Sequence, residues 1–520
     1  MESCSSQYTQ GTLRKNLKIM DYSKARNIKK QILLINPPYE RLKGFSVESI
    51  PLGLLYIATV LDRAGYSAVA YDMDTDFANK GLDYTNINRA ERQINYIEAL
   101  KDINHPSWLE LAKIIDEYNP CFVGVTMMTP AHSSCRKVFE IVKKKRPDVI
   151  LIAGGPHVTI AGKRIMHDNP EIDYAFSGEA EQSVLEFIRM FFEKDRDFSK
   201  IKGLIYRDKG AIHFTGRADR IDNLDALPIP NRELLYNKNK YGRDRLSLMV
   251  GSRGCPFSCA FCASVPLWER KVHLRSPQNI VNEIDYLVKS YKVRSFGFWD
   301  DTFTANRRCI IEFCSLIAKR YGTRLSWDCL TNVNCINEEV LKALKHAGCR
   351  RIRIGVESGS DEILKKIKKG ITTEQVMEAA RLIRKFGFWL HAYFMVGIPY
   401  ETEDDLKKTM DFIKRLNPDS LNLCTFTPYP GTELYEYVVD RGLMSPNPDY
   451  SIYDSIGHHS IDSFFMTDIS REKYLGFLNE VLDLSTDMSS KLTVRKLLLK
   501  AKMVTPDRIR RLTRKALSFH

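Results

Sequence analysis

Short apolar runs alternate with longer amphipathic stretches along most of this chain. Gln31 to Asn36 (Gln-Ile-Leu-Leu-Ile-Asn) stops at Pro37-Pro38, which predicts a parallel strand buried on both faces. Leu52 to Ala64 has apolar positions at helical spacing and ends at Gly65, a helix with its stop signal. Ala68 to Tyr71, Cys121 to Thr126, Val149 to Ala153 and Ile172 to Phe176 read as further strands, and Ala90 to Tyr118, Ala131 to Lys145 and Glu179 to Phe192 as helices. This alternation predicts an α/β unit, a doubly wound, Rossmann-like parallel sheet over residues 31–195. Ligands of such sheets lie beyond the carboxyl ends of the strands. Those ends carry Asn36-Pro37-Pro38, Thr126-Met127-Met128-Thr129 and Gly154-Gly155-Pro156-His157. No G-x-G-x-x-G follows the first strand, so a dinucleotide site is not supported.

The pattern then changes. Residues 196–240, with Pro228, Pro230 and several Asp and Asn, read as a linker. Six strand candidates follow within residues 241–444: Leu246–Val250, Arg294–Trp299, Leu325–Leu330, Arg351–Val356, His391–Val396 and Ser420–Phe426. Helical stretches such as Pro277–Ser290, Arg307–Tyr321, Asn337–Ala347 and Thr373–Phe386 separate them. This predicts a partial, TIM-like (β/α)6 barrel, whose active site belongs at the C-terminal ends of its strands. Residues 445–520 form a helical, basic C-terminal region, with an amphipathic helix expected over Glu472 to Leu484.

Composition narrows the class. Apolar residues make up 44% of the 520, enough for real cores and against global disorder. The longest apolar stretches, such as Leu52 to Leu61, are too short to span a bilayer, and no N-terminal segment reads as a secretory signal. The net charge of +14 sits in two tails: +5 in a basic extension over residues 1–30 and +9 in residues 491–520, leaving the body neutral. A nucleic-acid-binding enzyme more often carries a basic face on its folded part, so nucleic acid is not an expected partner. Leucines alternate with basic residues from Lys491 to Lys502. They read as a helix lying on an anionic membrane surface, or as one packed on the barrel with a solvated basic face. The twelve cysteines are mostly isolated and do not look like a disulfide framework, which argues for the reducing cytoplasm.

Three cysteines carry the chemistry. Cys255, Cys259 and Cys262 have the spacing C-x3-C-x2-C, directly after the first barrel strand. A four-iron cluster bound by three thiolates keeps one iron open to a small molecule. A zinc knuckle usually supplies two close ligand pairs, and no second C-x2-C follows; a purely structural cluster remains the other reading. Cys309, Cys314, Cys329, Cys335, Cys349 and Cys424 read mostly as core residues, Cys424 being the one that could face the cavity.

The loop resembles the signature of radical S-adenosylmethionine (SAM) enzymes. The resemblance implies that SAM chelates the open iron through its amino and carboxylate groups. It also implies that the reduced cluster cleaves SAM to methionine and a 5′-deoxyadenosyl radical. Matching motifs stand at successive strand ends: Trp299-Asp300-Asp301-Thr302-Phe303, Gly355-Val356-Glu357-Ser358-Gly359, Gly397-Ile398-Pro399 and Pro428-Tyr429-Pro430-Gly431-Thr432. By resemblance, Asp300 and Asp301 lie near the amino group of SAM, Glu357 and Ser358 near its ribose and carboxylate, and Phe261 borders adenine. Gly397 belongs to the same cofactor-binding set. Taken singly, each acid could equally be a cap or an ion-pair partner.

The N-terminal third is similar to the cobalamin-binding domain that precedes many radical SAM domains. Asn-Pro-Pro, Pro51-Leu52-Gly53-Leu54, Ala153-Gly154-Gly155-Pro156-His157 and Ser177-Gly178-Glu179 occur in its order. This implies cobalamin contacts from Thr126, Met127, Gly154, Gly155 and His157, although Gly154 and Gly155 would equally serve a tight turn. None of the eleven histidines has an Asp two residues before it, so no cobalt ligand from a D-x-H-x-x-G motif is expected. The resemblance implies a cytoplasmic enzyme with a 4Fe-4S cluster, SAM and cobalamin, methylating an unactivated carbon of a small-molecule or lipid substrate. An electron donor such as flavodoxin or ferredoxin is implied. A radical cyclase or carbon–carbon bond-forming enzyme, a methylthiotransferase and a redox or cobalamin sensor remain as alternatives.

Overall fold

The computed structural model describes residues 31–44, 49–75, 89–192, 197–454, 466–481 and 483–484. The basic segments 1–30 and 491–520, and with them the expected membrane-surface helix, lie outside the described residues.

The first sheet is built from β1 (Gln31–Asn36), β2 (Ser67–Asp72), β3 (Phe122–Thr126), β4 (Ile150–Gly154) and β5 (Tyr174–Phe176). It runs in the order β2-β1-β3-β4-β5, all parallel. Helix α1 (Leu52–Arg63) and the helices α2 (Arg89–Lys101), α3 (Pro106–Tyr118), α4 (His132–Lys145), α5 (Pro156–Ala161), α6 (Arg164–Asp168) and α7 (Glu181–Phe192) accompany it. Two cores result: Leu33, Ile35, Val123, Val125 and Leu151 pack with α3 and α4, while Ile32, Leu34, Phe122 and Ile152 pack with α1 and α7. Strands buried on both sides explain the unbroken apolar run of β1. The Asn-Pro-Pro motif has a local reason too: the Asn36 amide donates to Asp72 at 2.8 Å and ties the ends of β1 and β2.

Two expectations change. The polar helix expected over 90–118 is two helices, because Pro106 cannot continue the first and instead begins the second. His105 caps that start, accepting from the Ser107 amide at 3.3 Å. The segment 196–240, expected as a linker, contributes β6 (Leu204–Asp208) and β7 (Ala211–Phe214), which extend the first sheet antiparallel beyond β5. Leu224, Leu235 and Tyr241 are buried in the first sheet's core.

The second sheet is parallel in the order β15-β14-β13-β12-β11-β8. In chain order the elements are β8 (Leu248–Met249), β9 (Ser252–Arg253), α8 (Ser264–Trp268), β10 (His273–Leu274), α9 (Pro277–Tyr291), β11 (Ser295–Phe298), α10 (Arg307–Tyr321) and β12 (Ser326–Thr331). There follow α11 (Glu338–His346), β13 (Cys349–Glu357), α12 (Asp361–Lys366), α13 (Thr373–Lys385), β14 (Trp389–Val396), α14 (Glu403–Leu416), β15 (Ser420–Thr425) and α15 (Glu433–Asp440). No pairing closes β15 onto β8, so this is the six-stranded partial barrel that the sequence pattern predicts. Tyr474, Phe477, Leu478 and Val481, on a helical stretch at 471–481, are buried in its core.

Buried ions tie barrel to sheet. Arg232 and Glu283, both without exposed side-chain surface, pair at 2.7 Å, and Arg275 adds a second bond to Glu283 at 2.5 Å. Arg253 on β9 reaches Glu179 and Glu181 at the start of α7. A short turn, Tyr450–Tyr453, crosses back to the first sheet: Ser133 donates its amide to Asp454 at 3.3 Å, and the Tyr450 ring lies 4.4 Å from that of His157. No helix among the described residues is long and apolar enough to cross a membrane.

Candidate functional site

The cysteine loop is held in place before any ligand is considered. Asp300, at the end of β11, accepts from the Gly251 amide at 2.8 Å and the Ser252 hydroxyl at 2.6 Å. Burial pushes its pKa up to about 7. Gly254 has φ +96, and a side chain there would collide with the Lys271 carbonyl, so only glycine suits this turn. The Ala260 amide donates to Ile367 O and the Leu434 amide to Ala260 O, both at 2.9 Å, stitching the loop between the end of α12 and the start of α15.

On this loop the Cys255 Sγ lies 3.4 Å from the Thr302 hydroxyl. Cys259 is buried and Cys262 half-buried, and burial pushes the Cys262 thiol up to about 12. Asp301 keeps exposed surface and accepts from the Ser264 hydroxyl at 2.7 Å, with burial of its carboxyl raising its pKa. The two neighbouring acids therefore differ: Asp300 is buried and locks the loop, and Asp301 keeps exposed surface beside it.

Across the mouth, the register of β13 shifts between Gly355 and Glu357. Glu357 takes φ +72, a left-handed conformation costing about 1–3 kcal/mol for a non-glycine residue. Its carboxylate bonds the Lys369 ammonium at 2.7 Å over Gly355, where a side chain would strike both groups. Burial works against the Lys369 charge, but Glu357 and the thiols of Cys259 and Cys262 outweigh it and raise its pKa. The ammonium also lies 5.8 Å from the Phe261 ring centroid. The structure thus brings Cys259, Cys262, Phe261, Glu357 and Lys369 together.

Ser358 does not join them. It is fully buried, 3.2 Å from the Thr409 hydroxyl on α14, and accepts from the Ser360 amide. Gly397, at φ +80, donates its amide to Glu401 at 2.7 Å, and a side chain there would meet the Tyr474 hydroxyl. Burial pushes Glu401 up to about 8. Cys314, Cys329 and Cys349 are buried core residues. Cys424 is half-buried; burial and then Glu357 push its thiol up to about 12.

At the first sheet, the Met127 amide donates to Gly154 O at 2.8 Å and the His157 amide to Met127 O at 3.0 Å. These bonds tie the loops after β3 and β4 together at the strand ends, where Thr126, Gly154 and Gly155 are part-exposed and Met127 and His157 lie buried beneath them. Gly155 has φ +100, and a side chain would lie 2.8 Å from the Thr126 hydroxyl, so the packing of its own loops demands this glycine. Gly154 is less confined, its nearest neighbour being Phe176 O at 4.0 Å. His157 is 1% exposed; its Nδ1 is 3.1 Å from the Thr129 hydroxyl. Its Nε2, and both ring nitrogens of the adjacent His132, are buried with no partner among the described residues. Burial pushes the two imidazoles down, to about 3 and about 4.

Sequence reasoning missed Lys369 and the Asp300 lock, and it gave Thr302, quoted within its motif, no role of its own. Lys369 stands in Lys365-Lys366-Ile367-Lys368-Lys369, a run that reads as solvated, and only the fold buries one of its members.

A partial barrel with a three-cysteine loop at its mouth, preceded by a doubly wound sheet whose strand ends carry orphaned polar groups, defines an enzyme of the radical SAM class. The comparisons agree: the radical SAM superfamily model matches residues 249–413 and the B12 binding domain model residues 45–188. An uncharacterized methyltransferase of Pyrococcus horikoshii is 32% identical over 418 residues, covering 80% of this chain and 84% of that protein. The anaerobic magnesium-protoporphyrin IX monomethyl ester cyclase of Cereibacter sphaeroides is 29% identical over 417 residues, 78% of this chain but 62% of that one. The structure of the radical SAM methyltransferase TsrM from Kitasatospora setae shares the fold, with TM-score 0.64 at 18% identity over 79% of this chain and 76% of that chain. The chain belongs to the cobalamin-dependent radical SAM family, whose cofactors are a 4Fe-4S cluster, SAM and cobalamin.

The residues present fit these groups. Three thiols on one fixed loop, with a buried cation beside two of them, suit an anionic cluster. Among the described residues no three His, Cys, Asp or Glu side chains converge as around a single ion. At the strand ends, part-exposed Thr126, Gly154 and Gly155 present small side chains and backbone to a large flat ligand, while the orphaned imidazole nitrogens lie buried behind them.

Proposed function

We propose that the enzyme methylates an unactivated carbon of a small-molecule or lipid substrate. The observation that supports this reading is a contact between elements that follow the two candidate sites. Helix α5, which follows Gly154-Gly155, touches α8, which follows the cysteine loop. A methyl group placed on Gly431 would lie 3.3 Å from Pro266 and 3.9 Å from Ile160. The methyltransferase relative, aligned over most of both chains, supports the same reading.

In this assignment Cys255, Cys259 and Cys262 hold the cluster. Asp301 receives the amino group of SAM, Lys369 its carboxylate, and Phe261 its adenine. Glu357 orients Lys369 and keeps it charged; Asp300, Ser358 and Gly397 shape the strand ends that present these groups. Thr126, Gly154 and Gly155 form the cobalamin face, with Met127 and His157 packed beneath it as its support. Residues 31–218 act as the cobalamin unit, 241–444 as the barrel, and Tyr450–Tyr453 helps to exclude water between them. Bound together, the cofactors supply a 5′-deoxyadenosyl radical and a transferable methyl group; the chain binds, orients and shields them.

The test is anaerobic reconstitution with all three cofactors and SAM bearing a trideuterated methyl group, incubated with extracts of lipids and small metabolites. The proposal expects a product that carries the three deuteriums and is lost in Cys259→Ala. The cyclase relative favours a second reading, radical ring formation without methyl transfer. Deoxyadenosine formed with no labelled product would favour it.

A further inference from the structure

A second opening reaches the cysteine loop. A cavity of about 320 Å³ is lined by Ser258, Cys259, Cys262, Arg270, Lys368 and Glu433 among others. Cys255, Asp301, Thr302, Glu357 and Lys369 do not line it, so it reaches the loop from another side. Arg270, Lys368 and Glu433 are exposed at its rim, with exposed Lys271 alongside.

The charges of this rim do not cancel. Lys368 occupies Glu433 at 2.6 Å. Glu269 is engaged by Arg217 at 3.5 Å and Arg220 at 3.9 Å. Arg270 and Lys271 have no acidic partner among the described residues. Glu269 and Arg270 both take positive φ, 49° and 61°, so the turn carrying Arg270 is an unusual conformation imposed by the fold.

SAM cleavage of this class consumes one electron for each SAM cleaved. We propose that this notch is the docking face of an acidic one-electron carrier protein, which passes a single electron to the cluster through the side of the loop formed by Cys259 and Cys262. In that step the carrier is oxidised by one electron and the cluster reduced by one, and no bond forms or breaks. Arg270 and Lys271 supply the complementary field, which steers such encounters and weakens as salt rises. Redox encounters of this kind need only a small interface. The proposal rests on the cluster assignment above.

The test measures binding first. Purified acidic flavodoxin is titrated against the reconstituted full-length protein by biolayer interferometry, for wild type, Arg270→Glu, Arg270→Gln and Lys271→Glu, at low and high salt. In parallel, deoxyadenosine formation is driven by reduced flavodoxin or by dithionite. The proposal expects either charge reversal to weaken flavodoxin binding by about tenfold, the neutral variant less, and wild-type binding to fall with salt. Flavodoxin-driven turnover should slow in step, while dithionite-driven turnover stays at the wild-type rate. Unchanged flavodoxin binding in both charge reversals would overturn the docking face, as would equal slowing with both reductants. Absence of deoxyadenosine from the wild type with dithionite would sink the cluster reading itself, and this proposal with it.

Discussion

Lys369 is a buried ammonium whose charge is kept by Glu357 and by two thiols. Breaking a buried ion pair by removing one partner costs about 3–5 kcal/mol, because the other charge is left uncompensated. Lys369→Met is expected to lower the melting temperature and to weaken SAM binding more than tenfold, as read by equilibrium dialysis. Adding Glu357→Gln should restore most of the melting temperature and none of the SAM affinity, and recovery of both would make the pair merely structural. Gly254→Ala should lower the iron bound on reconstitution, because its side chain meets the Lys271 carbonyl. Gly53→Ala, with nothing within 4 Å, should not. At this scale the sequence disclosed the cysteines, whose spacing is the chemistry, but could not divide the work of adjacent residues. Asp300 and Asp301 look alike until one is seen bonded to Gly251 and Ser252. Ser358 looks like a ligand until it is seen against Thr409.

Among the elements, the loops after β3 and β4 pack His132 and His157 against Tyr450. Both imidazoles are depressed, chiefly by burial, from 6.5 to about 4 and about 3. Arg136 and Arg164 add to this at His132, while Asp449 opposes it. A depressed histidine contributes stability that is complete above pH 6.5 and is lost as pH falls toward its folded value. The loss is up to about 1.4 kcal/mol per pH unit for each group. Asp454, raised by burial to about 6, acts in the opposite sense, so the comparison must be between proteins. Between pH 6.5 and 5 the wild type should lose more melting temperature than His132→Phe/His157→Phe, and parallel curves would contradict the burial argument. The barrel strands were legible because each is a short apolar or alternating segment set between amphipathic helices. The hairpin β6–β7 was not: its outer strand is largely exposed, and its turn, Lys209-Gly210 at φ +48 and +86, sits in polar sequence indistinguishable from a linker.

Over the whole molecule, the sheet and barrel are joined by Arg232–Glu283 and Arg253–Glu179/Glu181, which fix the two units against each other. Glu283→Ala should therefore separate loss of methyl transfer from retention of SAM cleavage: deoxyadenosine persists while labelled product falls severalfold. The doubly wound sheet and partial barrel could be read from alternation alone, whereas the packing of one on the other rests on these long-range buried charges, which no local pattern discloses. The most direct test of the account is the ratio of two small products. Each methylation by this route uses one SAM for the radical and a second as the methyl source, so anaerobic turnover of the cobalamin-loaded protein with substrate should yield deoxyadenosine and S-adenosylhomocysteine in equal amounts. Both should vanish in the Cys255→Ala/Cys259→Ala/Cys262→Ala variant. Deoxyadenosine without S-adenosylhomocysteine, or either product persisting undiminished in the triple variant, would contradict it.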